Sequence, residues 1–255
     1  MPYLRVFFLL VLTITWLTGG HTSQVAFNFL SSIASEPVTT PERRLPEYKP
    51  RKADAPRARI GGQGRGVEAG TPVLIALVPD HIAFTVKNDP TLCWYQSLHT
   101  SRPMVLTVVD SRGIRPILEQ SLPTPVRRGI HCLRPREYGV EFRVEESYRW
   151  YVTVVMDPNR PSLDVVAGGM IERISLDEAC ALGMPCLSSP CDTEGIYRYA
   201  ESGLWYDAIA CLVELIEQEP DKARLRRMLD HLLHQSGVHL PGESPPDQSI
   251  GLQTR

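Results

Sequence analysis

From Thr71 to Ile174 the apolar residues fall in short runs cut by turn residues. Val140, Phe142 and Val144 alternate with Glu141 and Arg143, and Tyr148, Trp150, Val152, Val154 and Met156 share one side of the next stretch. Period-two alternation marks a strand with one buried and one wet face. Further strands are predicted over Pro72–Val78, Ile82–Val86, Thr91–Gln96, Met104–Val109, Ile114–Leu122, Gly129–Leu133 and Val165–Ile174, with turns at Asn88-Asp89-Pro90, Asp110–Gly113 and Asp157–Pro161. Gly168-Gly169 predicts a bulge or bend in the last of them. About seven or eight short strands with no helical pattern between them predict an antiparallel, immunoglobulin-like β-sandwich.

At Thr193 the period lengthens. Thr193–Glu201 is predicted as a helix capped by Asp192 or Thr193 and stopped by Ser202-Gly203. Trp205, Ala208, Ile209, Leu212, Leu215 and Ile216 recur at three- and four-residue steps in a second helix, Leu204–Glu219, which Pro220 ends. Leu225, Met228, Leu229 and Leu232 repeat the pattern in a third, capped by Asp221 and closed by Gly237. The predicted fold class is α+β: the sandwich, then a short three-helix C-terminal segment.

The N-terminus is of another kind. Val6–Leu17 is an unbroken apolar and threonine run behind Arg5, followed by Thr18, Gly19 and Gly20. That is the layout of a secretory signal peptide, and it falls short of the roughly 20 apolar residues of a spanning helix. Cleavage is expected after Gly20, with Ala34 the second choice and an uncleaved anchor the alternative; a membrane enters only through that anchor. No cysteine precedes Cys93, so a lipidated N-terminal cysteine is excluded. Residues 21–69 hold Pro37, Pro41, Pro46, Pro50, Pro56 and a glycine cluster from Gly61 to Gly66. Too little apolar surface is available there to offset backbone entropy, which predicts a disordered linker. The remaining divisions are the sandwich at 70–178, a Cys-rich connection at 179–192, the helices at 193–238 and a disordered tail at 239–255.

Lys+Arg 27 against Asp+Glu 29 gives a net charge of −2, without the cationic excess that phosphate binding demands, so no nucleic-acid partner is expected. The glycine cluster lacks the Gly-Lys-Ser/Thr ending of a phosphate loop. Acidic residues (Asp192, Glu194, Glu201, Asp207, Glu214, Glu217, Glu219) crowd the first two helices and Lys222, Arg224, Arg226 and Arg227 the third, an asymmetry that fits solvated faces or a docked partner.

Export makes cross-links the expected state of Cys93, Cys132, Cys180, Cys186, Cys191 and Cys211, with the pairing left open. Cys211, on a helix, is the candidate for a buried thiol. The cysteine spacing departs from the close pairs of structural zinc sites, and no metal or cofactor is expected. There is no Gly-x-Ser-x-Gly elbow and no His-Glu-x-x-His pair. His231 and His234 are expected as a solvated pair, and Asp157, Asn159 and Asp164 as parts of a turn. Three tryptophans are each followed by tyrosine: Trp94-Tyr95, Trp150-Tyr151 and Trp205-Tyr206. On a strand, neighbours point to opposite faces. Core indoles would therefore turn Tyr95 and Tyr151 outward, either as plain surface or as one stacking platform for sugar or peptide. Tyr148 suits a tyrosine corner.

Tyr199-Ala200-x-x-Gly203-x-Trp205-Tyr206-Asp207-Ala208-Ile209, with Pro220-Asp221 behind it, resembles one tetratricopeptide-type helical hairpin. A single unit has to pack on something else. Leu77-Val78-Pro79, Asp89-Pro90-Thr91 with Trp94-Tyr95, Tyr148-Arg149-Trp150, Asp157-Pro158, Gly169-x-Ile171-x-Arg173 and Gly203–Ala208 resemble, in order and spacing, the exported bacterial family known as domain of unknown function 928. The resemblance implies an exported sandwich with a helical tail and assigns no activity. The expected function is a periplasmic or extracellular, non-enzymatic interaction or scaffold module for an envelope or extracellular protein. The alternatives are a carbohydrate- or peptidoglycan-binding module, and an envelope hydrolase whose acids converge only in three dimensions.

Overall fold

The computed structural model describes residues 44–51, 58–62, 70–111, 113, 115–181 and 190–241. The expected leader, Cys186 and the tail beyond 241 lie outside the described residues. The chain is mixed α+β. Its strands are β1 (Gly61–Gly62), β2 (Leu74–Ala76), β3 (Ala83–Thr85), β4 (Leu92–Gln96), β5 (Met104–Asp110), β6 (Pro116–Leu122), β7 (Gly129–Leu133), β8 (Glu146–Val154) and β9 (Val165–Arg173). Its helices are α1 (Leu176–Ala181), α2 (Thr193–Glu201), α3 (Trp205–Gln218) and α4 (Ala223–Gln235).

Two sheets form, with orders β1-β2-β4-β7 and β3-β9-β8-β5-β6. All the ladders but one are antiparallel. β3 runs parallel to β9, pairing Ala83 with Ile171 and Thr85 with Arg173, which corrects the all-antiparallel expectation. Alternation encodes which face a strand buries, not which neighbour it takes, and β4 to β8 together supply the long crossover that a parallel pair needs. The strand expected over Val140–Val144 is absent. Of its three apolar residues only Phe142 is buried, its ring against Tyr148 and its N–H bonded to the Asn88 carbonyl (2.9 Å), while Val144 is exposed. Left-handed backbone at Gly139 and Glu145 brackets the segment and keeps it off a ladder. Gly168 and Gly169 make no bulge: β8 and β9 stay in register through them, and the irregularity lies at Val108/Val109.

Asp192 caps α2 by accepting the Gly195 N–H at 2.6 Å. Lys222, not Asp221, precedes α4, with no side-chain cap bond. α1 is an additional helix, so four follow the sheets rather than three. The helices meet the sheets through two fully buried indoles. Trp150 of β8 donates its indole N–H to the Tyr206 hydroxyl (2.8 Å), which donates to the Met170 carbonyl (3.1 Å). Trp205 donates to the Leu77 carbonyl (2.8 Å).

Two pieces of the stretch expected to be a linker lie against this body. Tyr48 packs edge-on against Trp205, with ring centroids 4.8 Å apart. Arg59 reaches the carbonyls of Val78 and Gly237. Ile60 bridges to Gly168 of β9, and Gly61-Gly62 pair antiparallel with β2, so one short run ties both sheets.

Asp207, at the first turn of α3, is buried and accepts the Val86 N–H at 3.1 Å. Burial pushes its carboxyl up to about 6, against the pull of Lys87, the Val86 N–H and Thr85. The folded chain thus holds this proton more tightly than the unfolded one. The stabilisation is complete below the unfolded value near 4 and is lost as pH rises through about 6. Between pH 4 and 7, Asp207→Asn should gain about 3 kcal/mol relative to the natural chain in urea unfolding; a pH-independent difference would contradict this. Gly203 has φ 73°, and a Cβ there would lie 2.7 Å from the Lys49 carbonyl oxygen. Gly203→Ala should cost about 2 kcal/mol or more in the same assay.

Candidate functional site

The site is built by alternation. On β8, Trp150, Val152 and Val154 turn into the core, which sends Arg149, Tyr151 and Thr153 to the outer face of the five-stranded sheet. Tyr151 sits across from Thr107 on β5 and Gly168 on β9, and Arg149 across from Val109 and Met170. Gly168 is required here. A Cβ would lie 2.2 Å from the Trp150 carbonyl oxygen and 2.8 Å from Tyr151 Cδ1, so the tyrosine ring rests on bare backbone. Gly169 lets Val78 approach in the same way, a Cβ there falling 2.6 Å from its Cγ2.

Beside the ring opens a groove of about 220 Å³, lined by Ala58, Ile60, Arg149, Tyr151, Gly169 and Met170. Ile60 is 42% exposed. Arg149 is exposed and forms no ion pair among the described residues. The groove thus combines an aromatic ring, a thioether, an aliphatic side chain and an exposed guanidinium. Among the described residues that line it there is no nucleophile paired with a base.

The other anticipated residues are scattered. Tyr95 lies in β4, in the other sheet, 6% exposed; its hydroxyl accepts from Arg128 Nε (3.2 Å) and donates to the Pro241 carbonyl (3.5 Å). It neither faces outward nor shares a face with Tyr151, because both faces of β4 are covered. Trp94, Trp150 and Trp205 are all buried. Cys93 and Cys132, directly opposed on β4 and β7, form one disulfide, and Cys191 and Cys211 form a second. Cys211 is therefore not a buried thiol. His234 is exposed and contacts the His239 ring, while His231 is half-buried. Asp157 holds Arg160 and the Asn159 N–H, and Asp164 accepts the Met156 N–H, so this acidic cluster is spent on a turn. Among the described residues no group of three or more His, Cys, Asp or Glu is placed to hold a metal.

Reasoning from sequence missed Ile60 and Ala58 as groove walls, and Tyr48 and Asp207 as buried groups. The available signal for Tyr48 was an aromatic between two prolines, and for Asp207 apolar neighbours on both sides.

Two disulfides point to an oxidising, extracytoplasmic location. No helix among the described residues is long and apolar enough to cross a membrane. The family model described as Domain of Unknown Function (DUF928) matches residues 60–245, most of the chain. No curated protein matches it.

Tyr151→Ala should cost about 1 kcal/mol or less, because it uncovers surface without opening the core, whereas Gly168→Ala should cost more than about 2 kcal/mol through clash with backbone. Equal losses in urea unfolding would contradict the placement of the ring. Tyr95→Ala should destabilise by about 3 kcal/mol, as a buried aromatic does.

Proposed function

The chain belongs to the DUF928 family, and on that footing we propose that it is exported and works in the periplasm or outside the cell as a non-enzymatic module that binds another protein. Binding uses the outer face of the five-stranded sheet. The observation that carries this reading is the make-up of the groove: Tyr151, Met170 and Arg149 are residue types enriched at protein interfaces. The exposed Arg149 guanidinium, without an ion pair among the described residues, selects a partner segment that carries a carboxylate next to an apolar side chain. We also read the two sheets as an immunoglobulin-like sandwich. The Tyr148 hydroxyl, which accepts the Arg143 N–H at 2.9 Å, supports this as the bond of a tyrosine corner. A sugar ligand is the second reading, favoured by the flat Tyr151 ring over Gly168.

In chain taken from intact cells, Cys93, Cys132, Cys191 and Cys211 should resist alkylation until reductant is added; four readily alkylated thiols would contradict export. A photo-crosslinker at Met170 should capture one protein from intact cells, and the purified pair should bind with a Kd that Arg149→Glu and Tyr151→Ala each weaken about tenfold or more. Binding to wall polysaccharide that depends on Tyr151 but not on Arg149 would replace this reading with the sugar one.

A further inference from the structure

Residues 44–51 lie across the helices like a docked peptide. Pro46 and Tyr48 are buried, while Glu47 and Lys49 are exposed, the alternation of an extended segment with two anchors. The contacts that hold it are few and specific. The Lys49 N–H donates to the Ala200 carbonyl (3.1 Å), at the end of α2. The Tyr48 N–H donates to Gln235 Oε1 (3.0 Å), at the end of α4. The Tyr197 hydroxyl donates to the Arg44 carbonyl (2.6 Å) and accepts from Arg224 (3.0 Å). The Tyr48 hydroxyl pairs with His81 Nε2 (2.9 Å), whose ring stacks on it. Burial holds His81 below its usual range, which keeps the imidazole neutral beside the hydroxyl.

The receiving surface is prepared for backbone. Gly203, in the turn between α2 and α3, leaves room where a Cβ would meet the Lys49 carbonyl and the Arg51 side chain. The bonds to Arg44, Tyr48 and Lys49 are made to main-chain groups or to the tyrosine hydroxyl, and Arg51 adds an ion pair with Glu178 (3.0 Å) and lies over the Phe84 ring, so the groove recognises an extended backbone with a buried Pro-x-Tyr pair followed by a cation.

We propose that this groove is a peptide-binding site, filled in cis by residues 44–51, and that an extended Pro-x-Tyr segment of another protein displaces them. The site lies apart from the Tyr151 face and stands without it. Displacement requires the segment to open while the sheets stay folded. Hydrogen exchange on the natural chain should therefore release the Tyr48 and Lys49 amides at least about a hundredfold faster than those of Val152 and Val154. Equal protection would overturn the proposal.

The binding probe is a labelled eight-residue peptide of sequence Arg-Leu-Pro-Glu-Tyr-Lys-Pro-Arg. The full chain carrying Tyr48→Ala should bind it about tenfold or more tightly than the natural chain, and a peptide with alanine in place of its tyrosine should not bind. Should Tyr48→Ala fail to fold, Tyr48→Phe, which keeps the ring stacked on His81 and loses the hydroxyl bond to its Nε2, should still bind more tightly than the natural chain. Binding no stronger than that of the natural chain in the folded variant would overturn the proposal. A natural chain that dimerises by exchanging the segment, seen by light scattering, would reassign the groove to self-association.

Discussion

The indole N–H of Trp150 has no water to turn to, and a buried donor left without an acceptor costs about 1–3 kcal/mol. Its acceptor, the Tyr206 hydroxyl, is on a different element and passes its own proton on to the Met170 carbonyl. The side chain of one strand is thereby satisfied only when α3 sits in one place, and α3 in turn satisfies the neighbouring strand. Trp205, the adjacent residue, fixes the same helix to the Leu77 carbonyl. A helical hairpin that could not stand alone is positioned by these bonds, and the turn between its two helices then presents Gly203 to the N-terminal segment.

The two surfaces with chemical character depend on that arrangement. β8 turns Trp150 inward, so Tyr151 must turn outward, and Gly168 opposite lets its ring lie on the sheet. Ile60 closes one side of the resulting groove because its backbone bridges to Gly168 before the chain crosses to the other sheet. On the helical side, α2 and α4 end where Tyr48 and Lys49 find their bonds. One surface offers side chains with an exposed guanidinium, and the other offers main-chain acceptors and a tyrosine pocket.

Much of the architecture is legible in the sequence where burial is one-sided. β8 was predicted by its alternation because it has one dry and one wet face, and α2 and α3 by their apolar spacing and by the Asp192 cap. Legibility fails where both faces are covered. Tyr95 was expected to point outward from Trp94, yet β4 is buried on both sides, so alternation carries no direction there. Val140–Val144 alternates without finding a ladder, and the parallel β3–β9 pair depends on a contact across more than eighty residues, as Ala83↔Ile171 illustrates. The Cys93–Cys132 disulfide needed the β4–β7 register, which no spacing reveals. Of the candidate site, Tyr151 was legible; Arg149, Met170 and Ile60 were not, because their proximity arises only when β8, β9 and the N-terminal run come together.

The central claim is that the Trp150–Tyr206 hydrogen bond couples the helices to the five-stranded sheet. A double-mutant cycle tests it most directly, with Trp150→Phe, Tyr206→Phe and the pair compared by urea unfolding. A coupling energy of about 1–2 kcal/mol is predicted, since losing either partner strands the other. Losses that simply add, within about 0.3 kcal/mol, would contradict it.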